Sequence, residues 1–118
     1  MYTITKQFEF SASHQLFGLP EGHQCGRVHG HNYLVEVELQ AATLNDVGFV
    51  RDYGELDTFK RHLLVYFDHR HLNDELEFNP TAENIAQHLF GVFSLLWPEL
   101  SAIRISETPK TWAEYRKP

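Results

Sequence analysis

Two histidines separated by one glycine, His29-Gly30-His31, follow the chain's lone cysteine, Cys25, and a third histidine, His14, lies fifteen residues before the pair. If the stretch from His29 is a strand, residues two apart leave the same face, so both imidazoles can converge on one point. His14 shares the parity of Phe8, Phe10 and Ala12 on the preceding segment, and His29 and His31 share that of Tyr33, Val35 and Val37. All three rings therefore point toward apolar faces. Three imidazoles on one side of a two-stranded ribbon suit a catalytic zinc ion, which takes three protein ligands and keeps a fourth position open. A dry surround strengthens the ion's polarising effect. A His-Gly-His pair alone is as often hydrogen-bonded as metallated; the third histidine and the nearby thiol turn the reading toward a metal. His23, His62, His71 and His88 lack this convergence and read as surface or packing residues. Cys25 has two roles open to it. As a fourth ligand it would close the site and make it structural; as a free thiol beside a cation it would be a base or nucleophile with an enlarged thiolate fraction.

Positioning these groups requires strands. Tyr2 to Ser13 alternates, with Tyr2, Ile4, Phe8, Phe10 and Ala12 on one parity, polar residues on the other, and Lys6 the exception. That pattern predicts a half-buried strand. Gly18 to Arg27 reads as a loop. A second strand from His29 to Gln40 sets Tyr33, Val35, Val37 and Leu39 against Asn32, Glu36, Glu38 and Gln40, and Asn45-Asp46-Val47-Gly48 turns the chain. Asp52 and Glu55 resemble a capping box opening a helix whose stripe is Leu56, Phe59, Leu63, Tyr66 and Phe67. Asn79-Pro80-Thr81 opens a second helix with the stripe Ile85, Leu89, Val92, Phe93 and Leu96, stopped by Pro98. Ala102 to Glu107 and Trp112 to Arg116 read as two short strands. The order ββααββ predicts an α+β fold, an antiparallel four-stranded sheet with two helices on one face, as a single domain over residues 1–118.

Composition narrows the function. Hydrophobic content of 42% and charged content of 22% are those of a globular protein. No apolar run approaches the roughly 20 residues that span a bilayer. The N-terminus has no basic stretch followed by an apolar one, so no export is expected. The single cysteine fits a reducing cytoplasm. A net charge of −6 without a Lys/Arg stripe argues against nucleic-acid binding.

Read together, several stretches resemble one family: Phe8-Glu9-Phe10-Ser11-Ala12-Ser13-His14, Cys25-Gly26-Arg27-Val28-His29-Gly30-His31-Asn32-Tyr33, Asp68-His69 with Leu72-Asn73, Asn79-Pro80-Thr81-Ala82-Glu83-Asn84, and Ser106-Glu107-Thr108. In this order, over nearly the whole chain, they resemble the 6-pyruvoyl- and 6-carboxy-tetrahydropterin synthases. The resemblance implies the tunnelling fold, in which sheets of several subunits close a barrel, usually a hexamer of two trimers with active sites between subunits. It implies that His14, His29 and His31 hold Zn2+, that Cys25 is a free catalytic thiol, that His69 with Asp68 relays protons, and that Glu107 anchors a pterin. Glu107 shares parity with Ile103 and Ile105, so it should face the covered side, where a carboxylate can accept two parallel N–H bonds from an amino-pyrimidinone edge. Asp68 and His69 can pair only if the preceding helix has ended by about Phe67, because adjacent residues on a helix do not face each other. The three-residue spacer between Cys25 and His29 resembles the bacterial 7-deazaguanine (queuosine) branch, which implies formation of 6-carboxytetrahydropterin from 7,8-dihydroneopterin triphosphate, with acetaldehyde and triphosphate released. A 6-pyruvoyl product, or a non-catalytic zinc or pterin-binding protein, are the alternatives. An anionic triphosphate on an acidic protein needs local positive charge, for which Arg27 is the candidate.

Overall fold

The computed structural model describes residues 1–118. In chain order the elements are β1 (Tyr2–His14), β2 (His29–Ala41), α1 (Asp57–Tyr66), β3 (Arg70–His71), α2 (Leu72–Glu75), α3 (Ala82–Phe93), β4 (Leu100–Ser106) and β5 (Ala113–Arg116), with 3-10 turns at Gln24–Gly26 and Tyr53–Leu56. β1 and β2 pair antiparallel over their full length, from Tyr2 opposite Ala41 to His14 opposite His29. The period-two patterning forces this register, because a slip of one residue would turn every apolar side chain to the other face. Lys6 interrupts the pattern at little cost: its ammonium reaches out to the Tyr53 carbonyl at 3.2 Å and to Asp57 at 3.3 Å.

The architecture is the expected α+β one, with a correction to the sheet. It has five strands, in the order β3-β1-β2-β4-β5, and β3 runs parallel to β1. A two-residue strand is too short to show alternation in sequence. It forms because Asp68 accepts the Ser11 N–H (2.9 Å) and the His69 N–H donates to the Ser11 carbonyl (2.6 Å), which lays Arg70 and His71 beside Ala12 and Ser13.

Phe8, Phe10, Tyr33, Val35, Val37, Ile103 and Ile105 cover one face of the sheet, and α1 and α3 bury Phe59, Leu63, Ile85, Ala86, Leu89, Phe90 and Phe93 against them. Each fully buried Val, Leu, Ile or Phe among them contributes about 1.5–3 kcal/mol of transfer free energy. The helix ends differ from expectation. Asp52 caps the 3-10 turn and not α1, accepting the Gly54 N–H at 2.8 Å. Thr81 caps α3 by accepting the Asn84 N–H at 3.1 Å, which leaves Pro80 outside the helix. α3 ends at Phe93, well before Pro98, so Leu96 lies beyond it and is exposed, as are Val92 and Tyr66; Ala86 and Phe90 take the buried positions instead.

The opposite face of the sheet is polar. Glu38, 5% exposed, accepts hydrogen bonds from Ser101 (2.7 Å), Arg116 (2.8 Å) and Arg104, and both arginines also pair with Glu114. Burial alone would raise the Glu38 carboxyl, but the bonds from Arg116, Ser101 and Arg104 outweigh it and hold the pKa at about 2. The network ties β2, β4 and β5 together across the strands. No helix is long and apolar enough to cross a membrane.

Candidate metal centre and active site

The far end of the β1–β2 ribbon brings His14 opposite His29, with His31 two residues along on the same face. Their ligand nitrogens all lie within 4.8 Å of one another, and no cysteine or carboxylate joins the group. His14 is fully buried.

The rings are oriented by what holds their other nitrogens. His14 Nδ1 lies 2.8 Å from the Pro80 carbonyl, which can only accept, so this nitrogen carries the proton. The Tyr33 hydroxyl oxygen, also fully buried, lies 3.1 Å from the same nitrogen. His29 Nδ1 likewise donates to the Arg27 carbonyl at 2.7 Å. Both Nε2 atoms are then left with lone pairs, and they face each other at 3.0 Å. His31 Nε2 is buried with no hydrogen-bond partner. Burial lowers the pKa of His14 and His31, favouring the neutral, ligand-competent form. Two lone pairs in opposition and an orphaned third nitrogen are costly unless a cation lies among them. Nitrogens bound at 2.0–2.1 Å around one tetrahedral ion would stand about 3.3 Å apart, close to the 3.0 Å between His14 and His29. A backbone carbonyl on the second nitrogen is also the usual outer support of a histidine ligand. The residues fit a metal ion.

Glu107 follows the last residue of β4, and its carboxylate comes within 3.8 Å of His31 Nε2, on the covered side as its parity predicts. Cys25 sits half-buried in the 3-10 turn, outside the histidine group. Its N–H donates to the ring of His23 at 3.1 Å, so His23, exposed at the surface as expected, also caps this turn. Arg27 contributes its carbonyl to His29, while its side chain is exposed and unpaired.

α1 ends at Tyr66, which meets the condition for Asp68 and His69 to pair: Asp68 Oδ2 lies 2.9 Å from His69 Nδ1. His69 is the only non-glycine residue with positive φ, at 58°, an uncommon backbone state that turns the chain back toward β1 and presents the imidazole outward, 83% exposed. The Ser11 N–H and, opposing burial, His69 lower the Asp68 pKa. A cavity of about 490 Å³ lined by Ser11, Ser13, His31, Asn32, His69 and His71 opens beside His69, over the β1–β3 edge of the ribbon. His71 is held there by Ser13 Oγ at 2.9 Å. His62 and His88 pack among aromatic rings away from this region, in keeping with their lack of convergence in sequence.

A tunnelling-fold pterin synthase is the class of protein that this sheet, ribbon and triad define. Residues 3–118 match the 6-pyruvoyl tetrahydropterin synthase family, and the chain belongs to it. It is 36% identical to a 6-carboxy-5,6,7,8-tetrahydropterin synthase of Synechocystis sp. over all of this chain and 95% of that one. It is 27% identical to the enzyme of the same name from Rickettsia bellii, over 97% of this chain and 99% of that one. Among solved structures, the 6-pyruvoyl tetrahydropterin synthase of Caenorhabditis elegans superimposes with a TM-score of 0.86 at 28% identity, covering 99% of this chain and 96% of that one. The family is one of enzymes acting as pterin synthases.

Proposed function

We propose that this chain is a zinc-dependent lyase that converts 7,8-dihydroneopterin triphosphate and water into 6-carboxy-5,6,7,8-tetrahydropterin, acetaldehyde and triphosphate, in the 7-deazaguanine (queuosine) route. The observation that carries the reading is the confrontation of His14 and His29 Nε2 at 3.0 Å beside the orphaned His31 nitrogen, with the Glu107 carboxylate 3.8 Å away. It puts three nitrogen lone pairs beside a carboxylate able to accept N–H bonds, and full-length relatives named 6-carboxy-5,6,7,8-tetrahydropterin synthase support the product.

His14, His29 and His31 would hold Zn2+ through Nε2. When bound, Zn2+ supplies Lewis-acid chemistry, stabilising negative charge on the substrate's side-chain oxygens and acidifying the adjacent C–H. Glu107 accepts two N–H bonds from the pterin's amino-pyrimidinone edge and fixes the ring. Cys25 Sγ takes a proton from the substrate's side-chain carbon. Asp68 holds Nδ1 of His69, leaving its Nε2 to give and receive a proton on the substrate's other side. Arg27, exposed and unpaired, is available to the triphosphate, whose charge the overall −6 would otherwise repel. A proton relay works best away from bulk water, yet His69 is open in the single chain. Assembly into a hexamer of two trimers, with sites between subunits, would cover it. The lone unpaired cysteine suits a cytoplasmic enzyme.

The second reading is 6-pyruvoyl formation, favoured by the likeness to the Caenorhabditis elegans structure. Zinc-loaded protein incubated with 7,8-dihydroneopterin triphosphate separates the two. Acetaldehyde and a 6-carboxy product are expected; a retained pyruvoyl side chain would support the second reading, and unconsumed substrate would defeat both.

A further inference from the structure

Asn73 and Asn79 have no part in the chemistry above, yet both lie against the segment that joins His14 to the thiol loop. β3 pairs with β1 only at Ala12 and Ser13, so β1's backbone should lose its outer partner from residue 14 onward. Asn73 takes over at Gln15: its Oδ1 accepts the Gln15 N–H at 2.8 Å and its Nδ2 donates to the Gln15 carbonyl at 2.8 Å. Asn79 repeats the pattern two residues on, accepting the Phe17 N–H at 3.1 Å and donating to the Phe17 carbonyl at 3.0 Å. A carboxamide carries the same donor and acceptor as a peptide group, and residues two apart present N–H and C=O to the same side. The two side chains therefore extend the ladder by two rungs without a strand.

The inner side of the same three residues reaches Cys25. The Leu16 N–H donates to the Cys25 carbonyl at 3.1 Å, and Gln15 Nε2 donates to the Gly26 carbonyl at 2.9 Å. Asn79 is itself fixed, since its carbonyl accepts from Asn84 Nδ2 at 2.9 Å and from the Thr81 N–H at 2.8 Å, next to the Pro80 carbonyl that orients His14.

We propose that Asn73 and Asn79 are positioning residues for the Cys25 thiol, clamping residues 15–17 from outside so that the loop they lead into is held at a set distance from His14. The proposal rests on Cys25 being the base of the reaction. It explains why amide side chains stand at two positions far from Cys25 in sequence.

The test uses the full-length zinc-loaded protein and the variants Asn73→Asp, Asn79→Asp and the double variant. Aspartate keeps the acceptor and loses the donor, setting a carboxylate oxygen against a carbonyl. Asn45→Ala is the control: it removes the acceptor of three backbone N–H bonds in the turn beyond Ala41, at the other end of the ribbon. In the double variant, the rate of Cys25 alkylation by iodoacetamide is expected to change about threefold or more. In the same variant kcat is expected to fall about 10- to 100-fold with KM held within about twofold. Asn45→Ala should lose stability and alter neither. In the wild type, hydrogen exchange should find the Gln15 and Phe17 amides as protected as that of Leu16. Unchanged alkylation and kcat in folded variants would overturn the proposal. So would Gln15 and Phe17 amides exchanging as fast as that of Gly18 in the wild type, a result that decides the matter even if a variant fails to fold. Alkylation and exchange need no pterin, so a wild type without turnover would sink the proposed function and leave the clamp to be judged on these readouts.

Discussion

Replacing Glu38 with Gln tests the electrostatics of the sheet's polar face. The carboxylate is 5% exposed and bonded by Arg116, Ser101 and Arg104, which hold its pKa at about 2 against an ordinary 4.5. That depression corresponds to about 3 kcal/mol of preference for the charged form in the folded protein. Arg116 is 42% exposed, so solvent weakens its share, and about 2–3 kcal/mol is the expected loss in Glu38→Gln near neutral pH. For a chain of this size the loss lowers Tm by about 10 °C. The sign follows from the direction of the shift. A carboxyl whose folded pKa lies below its unfolded one contributes fully above about pH 4.5, and the contribution disappears as pH falls toward about 2. Urea unfolding of metal-free wild type and variant, at one fixed protein concentration and at several pH values, gives the difference directly, because groups common to both proteins cancel. A gap of about 2–3 kcal/mol at neutral pH that closes between about pH 4.5 and 2 is expected. A gap that is absent, or constant across that window, would refute the reasoning.

Tyr33→Phe removes the hydroxyl 3.1 Å from His14 Nδ1 and leaves the Pro80 carbonyl in place. Zinc affinity, measured by competition with a chromophoric chelator, should fall about tenfold with the far-ultraviolet circular dichroism unchanged. Asp68→Asn removes the charged partner of His69 while keeping its size; kcat is expected to drop about 100-fold or more, with zinc content unaffected. Loss of zinc in Asp68→Asn, or full zinc affinity in Tyr33→Phe, would contradict the roles assigned.

Strands and the convergence of the three histidines were legible in the sequence for the same reason. Apart from Lys6 and Leu34, the 13-residue ribbon keeps a period of two, and that period also fixes the facing of His14, His29 and His31. Parity likewise placed Glu107 on the covered side. What escaped was set by single bonds between distant segments. β3 depends on Asp68 reaching the Ser11 backbone, and no local pattern announces that. Pro80 and Tyr33 act on His14 through a carbonyl and a hydroxyl. The carbonyl is invisible to side-chain reasoning, and in sequence Tyr33 is one more aromatic on an apolar face. The outer faces of α1 and α3 misled because Tyr66 and Val92 fit a helical stripe as well as the buried residues do, and only packing against the sheet separates them. His23 caps its turn through a contact two residues long that spacing alone does not distinguish from a solvated histidine.

The most direct measurement is zinc binding by Cys25→Ala and His14→Ala beside the wild type, with turnover recorded on the same samples. Zinc bound as tightly by Cys25→Ala as by the wild type, with turnover lost, and zinc lost from His14→Ala, is the expected result. Zinc affinity that collapses in Cys25→Ala would make the thiol a ligand and leave the site without its base.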